Sequence, residues 1–218
     1  MKKIFETIKD NPLFQGIAFS DFEQMYGCLS ARTAKYRKGD IVLLAGDTVN
    51  FVGLLLSGSV NIIKEDMEGR ITIIAEAAVS EVFGEVFACA GITQSPVTVQ
   101  AAEDAEIFFI DYRKIITSCS SACPFHTKLI ENMLRLIAGK TLLLTQKIEI
   151  LSKRSTREKL LCFFETQRGA ARKFVIPFSR EELAHYLCVD RSAMSNELCK
   201  MRDEGLLKFD KNSFEILY

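Results

Sequence analysis

The 218-residue chain has only two histidines and a formal net charge of zero. It has no glycine-rich phosphate loop, no G-x-S-x-G elbow and no H-E-x-x-H pair, so the common foundations of a catalytic site are missing. An enzyme is therefore not expected. No stretch approaches the ~18 consecutive apolar residues of a membrane span. The N-terminal run MKKIFETIKDNP lacks the continuous apolar core of a secretory signal. Without such a signal, the seven cysteines (28, 89, 119, 123, 162, 188 and 199) are expected to be reduced thiols in a cytoplasm. Cys162, Cys188 and Cys199 read most simply as small buried side chains. Charge is scarce in net terms but uneven. From Ser152 onward there are 13 Lys/Arg against 10 Asp/Glu, leaving 15 against 18 before it. That asymmetry has the right sign for an anionic partner at the C-terminal end.

What is present is most informative between residues 179 and 207, SREELAHYLCVDRSAMSNELCKMRDEGLL. Ser179 with Glu182 three residues on is a capping box, and Leu183, Ala184 and Leu187 give the helix after it one apolar side. Cys188-Val189 is a short turn and Asp190 a second N-cap. In the next helix Met194, Leu198 and Met201 share one buried face, which leaves Arg191, Ser192, Ser195 and Asn196 pointing outward. Arg pairs bidentately with guanine and Asn with adenine, so such a helix N-terminus suits a major groove. A surface αα-hairpin is the plain alternative for two helices alone. Gly205 then ends the helix, and Leu206–Phe209 and Ser213–Leu217 alternate around a polar turn as a hairpin. Lys173–Phe178 is a third short strand. Three helices with this small sheet make a winged helix-turn-helix.

The N-terminal half is punctuated by Gly39-Asp40, Gly46-Asp47, Gly53, Ser57-Gly58 and Glu68-Gly69. Between these lie short runs at 41–44, 51–56, 60–63, 71–75, 97–100 and 107–110, rich in Val, Ile, Leu and Phe. Turn signals at this spacing predict a β-sandwich or β-barrel, preceded by a short helix near Asp21–Leu29. From Phe125 to Leu151 the period lengthens. Ile130, Leu134, Ile137, Thr141, Leu144, Ile148 and Leu151 recur at alternating steps of four and three, the seam of a coiled coil. Self-association along that seam is expected, with an intramolecular amphipathic helix as the alternative.

The order of β-roll, long helix, basic hinge and helix-turn-helix resembles the catabolite-activator and fumarate/nitrate-regulator (Crp/Fnr) superfamily of bacterial transcription factors. KGD at 38–40, SGSV at 57–60, FGE at 83–85, TREKL at 156–160 and DRSAMSNEL at 190–198 carry the resemblance over nearly the whole chain. It implies an α+β fold: a cyclic-nucleotide-binding-type β-roll over 1–118, a dimerisation helix over 119–151 and a winged helix-turn-helix over 152–218. It also implies a cytoplasmic homodimer with no membrane partner. The dimer would read inverted half-sites of double-stranded operator DNA about 34 Å apart and act on RNA polymerase. By resemblance Arg191, Ser192 and Asn196 read base edges, while Arg180 and Lys200 contact phosphates. Many relatives carry Glu at the position of Ser192 and Arg at that of Asn196, so a different operator is implied.

The effector-pocket candidates that the resemblance supplies are Gly84, Glu85, Ser95, Pro96 and Val97. Cyclic-nucleotide-binding relatives place an Arg and then Ser or Thr where this chain has Ser95 and Pro96. A buried cyclic phosphate would lack its ion pair, a costly arrangement. Leu142 and Leu143 stand where polar nucleotide contacts are expected. Binding of cAMP is therefore not expected, no cofactor is implied, and the effector is unidentified. A stand-alone cyclic-nucleotide-binding module is a rival reading. One further cluster remains. Cys119, Cys123 and His126 place two thiols near an imidazole, a set able to ligate Zn²⁺ or help hold an iron–sulfur cluster. The C-x₃-C-x₂-H spacing matches no strong zinc signature, so structural cysteines are expected and a redox- or metal-sensing regulator is the alternative.

Overall fold

The computed structural model describes residues 1–117, 124–169 and 171–218. They form two compact units, Met1–Ala138 and Gly139–Tyr218. The first opens with helix α1 (Lys2–Ile8), a 3₁₀ turn at Pro12–Phe14 and helix α2 (Phe19–Cys28). Strands β1 (Arg32–Tyr36), β2 (Ile41–Leu43), β3 (Phe51–Ser57), β4 (Val60–Glu65), β5 (Ile71–Ala77) and β6 (Val82–Phe83) follow. Helix α3 (Glu85–Cys89), strands β7 (Thr98–Ala101) and β8 (Ala105–Asp111), and helix α4 (Tyr112–Ile116) lead toward the long helix α5 (Pro124–Ser152). The strands make two antiparallel four-stranded sheets, ordered β1-β8-β3-β6 and β2-β7-β4-β5.

The central strands of the first sheet, β3 and β8, are buried on both faces, which explains why they read as continuous apolar runs. Side chains alternate along a strand. Val52, Leu54, Phe108 and Ile110 face a core built with α1, α2 and the first half of α5. Leu55, Ile107 and Phe109 face the second sheet. On the helical side, Phe125, Leu129, Met133 and Leu136 of α5 recur at helical spacing and are buried. Asn132 ties this face down, donating from Nδ2 to the carbonyls of Leu13 (3.0 Å) and Gln15 (2.8 Å).

Between the sheets, rings fill the interior. Phe51 meets Phe109 edge-on at 4.9 Å and Phe83 at 6.3 Å. Phe83 pairs across the ladder with Gly53, and a Cβ on Gly53 would lie 2.3 Å from its ring. Gly53 is thus required by space. Gly58 is required by backbone: it has φ +71°, and a Cβ there would meet the Asp104 carbonyl at 2.4 Å. Gly53→Ala is expected to destabilise the first unit by about 1–3 kcal/mol through overpacking. Urea unfolding of the variant checks this, and an unchanged midpoint would contradict the ring packing.

The second unit holds the rest of α5, then α6 (Thr156–Arg168), β9 (Lys173–Val175), α7 (Arg180–Leu187), α8 (Arg191–Asp203), β10 (Leu207–Asp210) and β11 (Ser213–Ile216). Its antiparallel sheet is ordered β10-β11-β9. Ser155 and Glu158 form a full capping box at α6 and Ser179 and Glu182 another at α7. The core gathers Phe163 and Phe164 of α6, Leu183 and Leu187 of α7, Met194, Leu198 and Met201 of α8, and Phe214 of β11.

The expected strands and the helix near Asp21 are present. The cysteine expectation needs correcting: Cys188 is exposed, and Cys162 and Cys199 are only half-buried. The cause at Cys188 is local. It caps α7 in the left-handed region (φ 51°, ψ 55°), outside the helix's buried face.

Candidate nucleic-acid interface

The turn between α7 and α8 is fixed by hydrogen bonds at both ends. The Cys188 N–H donates to the carbonyls of Ala184 and His185, and Val189 N–H donates to Ala184. Asp190 then starts α8, accepting from the Ala193 N–H at 2.8 Å and from the Ser192 hydroxyl at 2.5 Å. Those two bonds hold the Asp190 carboxyl below its usual pKa. They also orient Ser192. With its proton committed to Asp190, the hydroxyl presents only acceptor capacity outward, which suits an amino group on adenine or cytosine.

Burial of Met194, Leu198 and Met201 turns the opposite face of α8 outward. Ser192, Asn196 and Lys200 are exposed on it and Ser195 is half-buried, while Arg191, in line with Met194 and Leu198, is exposed because it is the first residue of the helix. Arg191 and Ser192 lie on the first turn, Ser195 and Asn196 on the second, and Lys200 one turn further on.

Arg180 stands apart from this group. It is half-buried, with its guanidinium carbon 4.8 Å from the ring centres of both Phe209 and Phe214. Its Nη1 is buried without a hydrogen-bond partner, and burial lowers its pKa. The side chain therefore joins α7 to the β10–β11 wing by stacking on its rings, rather than standing free as a surface charge.

A second arginine was not legible as a site residue. Arg157, at the start of α6, pairs its Nε with Glu197 at 2.5 Å and grips Glu204 bidentately at 2.7 and 2.8 Å. Glu197 lies in the middle of α8 and Glu204 caps its C-terminus, so this guanidinium fixes the second half of the helix. Only its place in TREKL drew attention in the sequence.

The seam residues of α5 differ in exposure. Leu134, Leu144 and Ile148 are 66, 63 and 66 % exposed, and Thr141 is exposed too. Ile130, Ile137 and Leu151 are half-buried. Leu142 and Leu143 are also exposed.

In the first unit, Gly84 caps α3 with φ +81°, and Glu85 is 2 % exposed. Ser95 is buried and closes a turn on its own backbone: its hydroxyl donates to the Val97 carbonyl at 2.6 Å and accepts from the Val97 N–H at 3.3 Å. Pro96 is exposed and Val97 buried. The chain has no Lys or Arg between Arg70 and Arg113, a span that contains all five pocket candidates. Cys119 and Cys123 lie outside the described residues. His126 is 2 % exposed, its Nδ1 has no partner, and burial lowers its pKa. Among the described residues no three His, Cys, Asp or Glu side chains are grouped to hold a metal ion. No helix among them is long and apolar enough to cross a membrane.

Two families match in succession. Residues 33–121 match the cyclic nucleotide-binding domain family, and residues 158–218 match the Crp-like helix-turn-helix domain family. The transcriptional activator protein FnrA of Stutzerimonas stutzeri is 24 % identical over 188 residues, covering 83 % of this chain and 75 % of its own. Among solved structures, DNR of Pseudomonas aeruginosa is similar at 18 % identity with a TM-score of 0.52, covering 98 % of this chain and 93 % of that one. The c-di-GMP responsive global regulator CLP of Xanthomonas campestris also has a TM-score of 0.52 at 18 % identity, covering 89 and 98 %. The Thermus thermophilus catabolite activator protein reaches 0.50 at 20 % identity, covering 94 and 93 %.

Proposed function

The chain belongs to the Crp/Fnr family of DNA-binding transcription regulators, which are not enzymes, and from that premise we propose that it works as a cytoplasmic homodimer reading an inverted-repeat operator. The observation that carries this reading is the exposed start of α8. Arg191, Ser192 and Asn196 are exposed over its first two turns, and Met194, Leu198 and Met201 anchor it to the core. Arg191 and Asn196 supply bidentate base contacts, Ser192 an outward acceptor, and Lys200 a phosphate contact. Arg180 serves by holding the wing to α7. The exposed Leu134, Leu144 and Ile148 bring two chains together along α5, so that two copies of α8 face successive major grooves about 34 Å apart. In functional terms residues 1–118 sense, 119–151 dimerise and 152–218 bind DNA. Bound at a promoter, the dimer acts on RNA polymerase.

The effector is a molecule other than cAMP. Supporting this, Ser95 spends its hydroxyl on Val97, and no basic residue lies between Arg70 and Arg113 to neutralise a cyclic phosphate. Selection of bound sequences from random duplex DNA, followed by footprinting, tests the DNA reading. An inverted repeat with protection one helical turn apart is expected; selection of no preferred sequence would overturn it. In parallel, cAMP at micromolar concentration is expected to leave the melting temperature unchanged, and a clear rise would overturn the effector reading.

A further inference from the structure

In the second unit, α5, α6 and α7 enclose an apolar groove of about 560 Å³, within the usual ~300–1,000 Å³ range of ligand sites. Leu143, Leu144 and Ile150 of α5 form one wall, Thr166 and Gln167 of α6 and Tyr186 of α7 the others. Lys147 stands in it. Its ammonium lies 3.1 Å from the centre of the Tyr186 ring and donates to the Tyr186 carbonyl.

Two features say what belongs there. The first is charge. Lys147 is partly buried, burial lowers its pKa, and among the described residues no carboxylate pairs with it. An ammonium has three donors, and a desolvated one normally meets an anion. The second is position. Leu143, Lys147 and Ile150 form a stripe about 100° around α5 from Leu144, Ile148 and Leu151. A second copy of the chain seated on the seam covers the latter stripe, including Leu144 at the rim of the groove, and leaves Leu143, Lys147 and Ile150 open.

We propose that this groove binds an amphipathic organic anion, with a carboxylate head on Lys147 and an apolar tail along Leu143 and Ile150. Such a ligand would tie the long helix to α7, the first helix of the DNA-binding pair, at a site outside the β-roll.

Decanoate below its micellar concentration and decan-1-ol below its solubility limit are titrated calorimetrically into the full chain without DNA, so the outcome is independent of the operator reading. Saturable binding of one decanoate per chain is expected, with decan-1-ol weaker by about tenfold or more. Lys147→Met, which keeps the apolar stem, is expected to bind the two compounds alike, while Leu143→Asp loses both. Circular dichroism confirms that each variant folds. Absence of saturable decanoate binding would overturn the proposal, as would an undiminished affinity in Lys147→Met. Binding that emerges only when the chain is diluted to a monomer would also overturn it, because a second copy would then be the occupant.

Discussion

The double variant Leu144→Glu/Ile148→Glu is expected to sediment as a single chain and to lose about 10²–10⁴-fold in operator affinity, the usual gain from linking two binding modules. Two large apolar side chains that are 63 and 66 % exposed contribute little to the fold of one chain. The circular dichroism spectrum should therefore be unchanged, and the unfolding midpoint should lose only its dependence on chain concentration and the stabilisation that association supplied. In a coiled seam each carboxylate would face apolar side chains and its own copy across the dyad, and neither contact compensates its desolvation. The contrast is Leu136, only 9 % exposed on the other face of the same helix. Leu136→Glu is expected to unfold the first unit instead. A variant that still sediments as two chains would show that α5 does not hold the dimer.

Arg191→Ala/Asn196→Ala is expected to erase discrimination between operator and random duplex while leaving weak, salt-sensitive binding. Each bidentate base contact is worth ~1–3 kcal/mol, and a dimer carries four such contacts. Even at the lower bound their loss is about a thousandfold in the ratio of specific to non-specific affinity. The phosphate term should survive, because Lys200 and the α8 backbone are untouched. Stability should hold as well: both side chains are exposed, and alanine is a good helix former. Competition binding against random DNA at two salt concentrations separates the two terms. Unchanged discrimination would refute the assignment of base-reading roles to this face. Ser192→Ala should cost less, since it removes a single outward acceptor.

The parts of this molecule that were legible in the sequence are those whose physics is local. Ser179 with Glu182, and Asp190 with Ala193, close their bonds within three residues, so the helix starts could be named in advance. β3 and β8 were legible because burial on both faces makes them apolar throughout. β1, with the sequence RTAKY, was not. It is an edge strand, held by its pairing to β8 and mostly exposed, so its residues carry no burial pattern. The site divides in the same way. The outward face of α8 follows from its three buried residues. The stacking of Arg180 on Phe209 and Phe214, the grip of Arg157 on Glu204 and the bond from Lys147 to Tyr186 join residues 29 to 47 positions apart. No spacing rule reaches that far, and the tertiary fold alone brings them together.

The rings between the two sheets decide what the interior of the first unit can hold. Phe83 is fully buried against Gly53, with Phe51 and Phe109 beside it. Shortening a ring of this kind to alanine commonly costs about 3–5 kcal/mol. The space left would be apolar, and a dry apolar cavity admits small aromatic molecules where a phosphate would be refused. One codon change thus separates a filled sandwich from a receptive one. For a lineage acquiring a new signal, or a designer building a ligand-gated repressor, Phe83 is the stopper in the bottle. Drawing it trades stability for responsiveness, and the new guest can restore what the mutation removed.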